Sequence, residues 1–352
     1  MFKRLLAYGC FIFTLLLTNV EAAIELSDDI TLRGFGSTSA TKGSSETPVF
    51  INREITDDVC FDCDTTFGLQ LDYVVTDDFT TSLQVVKRPQ DEWSDPEVEW
   101  LYASYTYSDI ETKIGRLRLP LFLVSEYYYV AQAYTWARAP QEVYNSVLGV
   151  TSFNGMSVTW NHQVSDDIIL AVSPYYGVHD SNKISSGDRV YHFTTNDVKG
   201  IYMDIIGFNY RIHSNVMASN YDYNVKMKEA SLAKEADQNM VLYSLGAEYS
   251  LNAWHAMAEI QTNDMQTNWY ASLAYTLNKF TPYVIYSESH RWKENYSVTS
   301  GMRYDLTTKV SINAEWQIME LTKNSEQNTG QFTKYEGSNS SNISTVIINF
   351  IF

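Results

Sequence analysis

The feature that most constrains this chain is an alternation of apolar and polar residues with period two, repeated along its length. In "TFGLQLDYV" Phe67, Leu69, Leu71 and Tyr73 separate from Gly68, Gln70 and Asp72. In "VSINAEWQI" Val310, Ile312, Ala314, Trp316 and Ile318 separate from Ser311, Asn313, Glu315 and Gln317. Successive side chains of a strand point to opposite faces, so each stretch reads as a strand with one apolar and one polar face. A soluble sandwich with its apolar face inward shows the same pattern. The connections separate the two. Short turns at 76–78, 108–110, 165–167, 251–253, 277–279 and 307–309 alternate with longer polar stretches near 38–64, 90–96, 120–154, 178–199, 227–239, 290–294 and 321–341. Tight turns at one end and long loops at the other predict an all-β, transmembrane antiparallel β-barrel. Aromatic residues gather beside the short turns (Tyr73, Phe79, Tyr107, Tyr249, Trp254, Tyr275, Phe280, Tyr304 and Phe352), where an interfacial girdle belongs.

Strands are expected to start near residues 30, 65, 79, 97, 111, 155, 168, 200, 215, 240, 254, 268, 280, 295, 310 and 343, about sixteen in all. The stretch 200–225 alternates poorly, and fourteen or eighteen strands stay open. An even count puts both ends of the chain on the periplasmic side. "STVIINFIF" then closes the barrel against "ITLRGFGS", with Val346, Ile348, Phe350 and Phe352 on one face, and the exposed edge disappears.

The opening residues carry Lys3 and Arg4, an apolar run from Leu5 to Leu17, and small residues at 22–23. That run is too short to span a bilayer and reads as a signal peptide, residues 1–22, leaving 23–352 as the barrel. The mature chain then holds 23 basic and 41 acidic residues, net −18. Such acidity argues against nucleic acid as a partner. The two remaining cysteines, Cys60 and Cys63, lack the further ligands of a zinc site and the helix start of a redox motif, and are expected to form a small disulfide loop.

The terminal Phe352 with Phe350 two residues before it resembles the sorting signal of Gram-negative outer-membrane proteins. The block "DPEVEWLYASYTYSDIETKIGRLRLPLFLVSEYYYVAQAYTWARAPQEVYN" resembles gammaproteobacterial outer-membrane porins, distantly similar to phosphate-selective and general 16-stranded porins. The resemblance covers about residues 65–150. It implies a diffusion channel in the cell outer membrane, a homotrimer, and a third external loop folded into the pore. It also implies the barrel-assembly machinery, outer-membrane lipid and lipopolysaccharide as partners. It does not fix the solute.

A barrel of this size leaves a water-filled channel, so its inward set should be polar. Asp72, Gln84, Arg88, Glu97, Glu99, Arg116, Arg118, Glu248, Glu259, Arg303 and Glu315 fall on that face. "GRLRLP" puts Arg116 and Arg118 on one face directly before the loop, which carries Glu126, Arg138 and Glu142 and is too aromatic to stand in water. Two readings follow: the arginines face the loop carboxylates across a constriction, or Glu97 and Glu99 cancel them as ion pairs. The six histidines have no metal spacing, no nucleophile elbow is present, and no cofactor is expected. A passive channel for small hydrophilic solutes and ions fits best. A structural, adhesive or receptor barrel with a plugged lumen is the alternative.

Overall fold

A computed structural model describes residues 23–89, 94–147, 151–186, 189–227, 230–322, 328–334 and 339–352. The expected leader, 1–22, lies outside the described residues. A short arm, β1 (Ile24–Ser27), precedes β2 (Ile30–Gly43), β3 (Thr66–Thr76), β4 (Phe79–Lys87), β5 (Glu97–Tyr107) and β6 (Ile110–Arg118). After a long connection come β7 (Ser152–Ser165), β8 (Ile168–Ser186), β9 (Arg189–Ile206), β10 (Tyr210–Met227) and β11 (Ala230–Leu251). The last six are β12 (Trp254–Thr262), β13 (Gln266–Tyr275), β14 (Phe280–Arg291), β15 (Asn295–Asp305), β16 (Val310–Leu321) and β17 (Ser340–Ile351). Each strand from β2 pairs antiparallel with the next, and β17 pairs with β2, so sixteen strands close into a barrel. The arm β1 takes up the free end of the β2 edge, with Ile24 opposite Leu32.

The two faces are inverted relative to a soluble protein. Leu69, Leu101, Ile114, Trp316 and Val346 are half exposed on the outside, whereas Asn313, Asn349, Ser311, Thr345 and Gln317 are buried within. A sandwich with an apolar core would show the reverse. At the turn end the Trp254 ring lies 4.7 Å from Tyr275 and the Phe280 ring 4.6 Å from Tyr304, each pair tilted. A second outward aromatic group, Trp269, Tyr286 and Tyr296, lies farther along the same wall. Phe280 and Tyr286 are six residues apart on β14, roughly 20 Å at the rise of a strand, close to the height of a lipid-facing band. Ser108, Asn252 and Asn278 adopt positive φ (54–55°) in three of the short turns, the conformation that tight reversals require.

Two of the expected loops are strand instead. The β8–β9 ladder runs to Ser186 opposite Arg189, and the β10–β11 ladder to Met227 opposite Ala230. The stretches 178–199 and 227–239 therefore belong largely to strands, and β9 and β11 begin about ten residues before their expected starts. A strand of about ten residues already crosses a bilayer. Beyond it both faces meet water, so the extension loses its apolar alternation and reads as loop.

Candidate functional site

The connection between β6 and β7 is described over residues 119–147 and contains two short 3-10 turns, Ser125–Tyr127 and Ala131–Ala133, and one helical turn, α1 (Gln141–Tyr144). Its apolar side chains are buried: Leu119, Leu121, Phe122, Leu123, Val124 and Trp136 cluster with Phe153, Tyr175, Met217, Leu242, Met257 and Tyr270 from the strands. Trp136 meets Tyr270 edge-on at 5.5 Å. The sequence "LPLFLV" supplies apolar side chains to pack, but its backbone groups leave water as well and need partners.

The inward-facing polar residues supply them. Pro120 O accepts from His213 Nε2 at 3.0 Å, and Leu121 O from Ser244 Oγ at 2.5 Å. Glu259 on β12 takes the Leu123 N–H at 2.6 Å, the Tyr270 hydroxyl at 2.8 Å and the Tyr144 hydroxyl. Farther on, Asn313 donates to Thr135 O at 2.6 Å, and Arg303 to Tyr134 O at 2.6 Å. Glu315 accepts from the Ala137 N–H at 3.1 Å and the Tyr283 hydroxyl at 2.9 Å. Contacts thus continue along the wall from β10 to β17.

Arg138 is enclosed, 4% exposed. Its Nε and Nη2 meet both oxygens of Asp64 at 2.9 and 2.6 Å, Thr345 accepts at 3.0 Å, and Glu315 lies 4.0 Å away. Asp64 belongs to the β2–β3 connection and also binds Arg53 Nε at 2.9 Å and the Thr41 hydroxyl at 2.8 Å. Burial pushes the Asp64 carboxyl up, but the charge and hydrogen bonds of Arg138, with Arg53 behind them, outweigh it and hold the group well below its ordinary range.

At the β4–β6 wall Glu99 is fully buried between Arg88 (2.5 Å) and Arg118 (2.6 Å), and Glu97 pairs with Arg88 at 3.1 Å. Arg118 also donates to Ser125 O at 2.5 Å and lies over the Tyr129 ring at 4.5 Å. Arg116 diverges from it: it stands opposite the outward Leu101 in the β5–β6 ladder and pairs with Asp180 at 2.8 Å. The expected arginine pair is thus split between partners, Glu99 for Arg118 and Asp180 for Arg116. Glu142 stands away from both arginines, buried, with Asn295 Nδ2 at 3.1 Å from its Oε1. Glu126 is exposed and lines a cavity with Trp100, Tyr102, Lys113, Arg118 and Tyr202. Lys113, Asp64, Arg53 and His213, whose Nδ1 lies 3.1 Å from Asp204 Oδ1, were not expected at the site. Asp204 and His213 lie where the alternation is weakest.

Cys60 and Cys63 are joined, with Cα atoms 5.8 Å apart. Asp62 lies close to both sulfurs, but sulfurs bonded to each other are poor metal ligands. At the closing edge Phe352 pairs with Gly34, and Phe350 lies 6.2 Å from Phe67.

No protein-family model matches the chain, and no curated protein does. Solved structures match along nearly its whole length. OmpF of Salmonella typhi in complex with daunomycin superposes with a TM-score of 0.65 at 10% identity, over 94% of this chain and 100% of that one. The anion-selective porin of Comamonas acidovorans gives 0.59 at 11% identity, over 92% and 99%. A mutant of Rh. blastica porin gives 0.52 at 14% identity, over 92% and 100%. The fold is that of the outer-membrane porins. At these identities the likeness is one of backbone.

Proposed function

We propose that the protein is a passive diffusion channel for small hydrophilic solutes and ions, seated in the outer membrane of a Gram-negative bacterium after removal of residues 1–22. The observation that carries this reading is the combination of an inward polar face with a single segment, 119–147, hydrogen-bonded along it. Packed there, the segment narrows the lumen without replacing it. The passage runs past the cavity where Glu126 on the segment and Lys113 on β6 are the accessible charges. Arg118, Glu97, Glu99 and Arg88 form its paired wall, with Arg116 held apart by Asp180, while Arg138, Glu142, Arg303 and Glu315 hold the segment. Close to a low-dielectric wall such charges act strongly on a passing ion. The homotrimer, lipopolysaccharide contacts and recognition of Phe350 and Phe352 by the assembly machinery belong to the same reading.

Planar-bilayer recording of the refolded protein tests it. Stepwise openings are expected. Silence from a folded, heat-modifiable barrel favours a plugged structural or receptor barrel, in which the segment closes the lumen.

A further inference from the structure

Among the described residues, the β2–β3 connection, residues 44–65, is the element outside the strands that reaches Arg138 of the segment. Its apolar residues Val49, Phe50, Ile55 and Cys63 pack with Met319 and Ile343 of the wall. The residue after Cys63 is Asp64, whose carboxylate meets Arg138 through two hydrogen bonds at 2.9 and 2.6 Å. The Phe50 ring lies 5.4 Å from the Arg138 guanidinium on another side. The Cys60–Cys63 bond closes the turn that presents the carboxylate, and Thr65 N–H to Asp62 O at 3.1 Å closes it again.

We infer that the β2–β3 connection is a strap, and that Asp64 is a positioning residue that sets the segment 119–147 by gripping Arg138. The inference rests on the channel reading for its effect on current, but not for its structural content. The grip is decisive on magnitude. Hydrogen bonds from the segment to the wall each contribute little net, because water replaces them when they open. A guanidinium left buried without its anion costs far more, because desolvation is no longer offset. Glu315, 4.0 Å away, already accepts from Ala137 and Tyr283 and is poorly placed to substitute. Without Asp64 the cheapest relief is for Arg138, and the segment with it, to move toward water. The disulfide makes the strap stiff: cutting it leaves Asp64 in place but lets its backbone turn open.

The test uses the full chain refolded in detergent and compares wild type, Asp64→Asn, Arg138→Met, the double variant and Cys60→Ser/Cys63→Ser. Hydrogen exchange is followed in peptides covering 120–147 and, separately, in β12–β17. Asp64→Asn should speed exchange in 120–147 on the order of ten-fold while the strand peptides stay protected. Arg138→Met removes the guanidinium on the segment and leaves Arg53 on the strap itself, so adding Asp64→Asn to it should change exchange in 120–147 far less than in wild type. The cysteine variant should fall between wild type and Asp64→Asn. In bilayers Asp64→Asn should give noisier open-channel current, and this arm alone depends on the channel reading. A wild type that conducts nothing defeats that reading and leaves the exchange result standing. Unchanged exchange in Asp64→Asn, or an equal effect of the substitution with and without Arg138, overturns the strap.

Discussion

Gly34 and Phe352 exchange both backbone hydrogen bonds at 2.8 Å, so the last residue of the sequence is a full member of the ladder that closes the barrel. The Phe352 ring lies over the α-carbon of Gly34, where a methyl group would overlap it. The close approach, rather than an unusual backbone angle, is what requires glycine there.

Deleting Phe352 should therefore lower the yield of heat-modifiable barrel in the outer membrane, and Gly34→Val should do so too by displacing the ring. Electrophoresis of boiled and unboiled membranes measures both. Normal yields in both variants would mean that closure does not depend on this contact.

Shortening the segment between Phe122 and Val143 should raise single-channel conductance and admit larger sugars. The partners left behind are polar wall groups such as Glu259 and Asn313, which water can satisfy. The barrel should still assemble, since the strand ladder does not include the segment. An unchanged conductance would put the segment outside the ion path.

The pattern of the sequence reads well where lipid and water lie on opposite sides of a strand. β3 and β16 alternate cleanly for that reason, and their inward and outward sets agree with the structure. β9 and β11 outgrow the bilayer, and no contrast of solvent marks their upper halves. The anchors of the segment were hidden for a different reason. Asp64 and Arg138 are 74 residues apart, and Leu123 and Glu259 are 136 apart. Neither pair leaves a local periodicity, because each depends on how an irregular connection folds back. The arginines of "GRLRLP" were visible as residues, but their separation depends on Glu99 and Asp180, which lie on other strands.

The strap should weaken in acid. Asp64 is held below its ordinary value of 3.8, so the folded protein favours the charged form. Its contribution is fully present above that value and is lost as pH falls toward the folded-state value. Breaking such a buried pair costs about 3–5 kcal/mol. The difference in thermal midpoint between wild type and Asp64→Asn should thus be constant from neutral pH to about pH 5 and shrink below the usual carboxylate range. Thermal scans between pH 3 and 7 check this. A difference that persists undiminished at the acid end would mean that the carboxylate's charge is not what holds Arg138.

Selectivity should follow the accessible charges and not the arginines first suggested by the sequence. Arg118 shares Glu99 with Arg88, and Arg116 has Asp180, so each presents to a passing ion the weak field of a pair. Part of the net charge of −17 lies in the short turns, at Asp77, Asp78, Asp109, Asp166 and Asp167, where salt screens it within about 8 Å. Glu126 is exposed on the segment, and Lys113 lines the same cavity from the wall. Lys113 is partly offset by Glu111 at 3.2 Å, which makes Glu126 the less compensated of the two. Glu126→Gln should therefore move the reversal potential toward anions, and Lys113→Gln toward cations by a smaller amount. Shifts on the order of 10 mV are expected in a tenfold KCl gradient, whose ideal limit for a monovalent ion is about 59 mV. Arg116→Gln with Arg118→Gln should move it less than Glu126→Gln does. A larger shift from the arginine pair would return control of the pore to them and assign Glu126 to the rim.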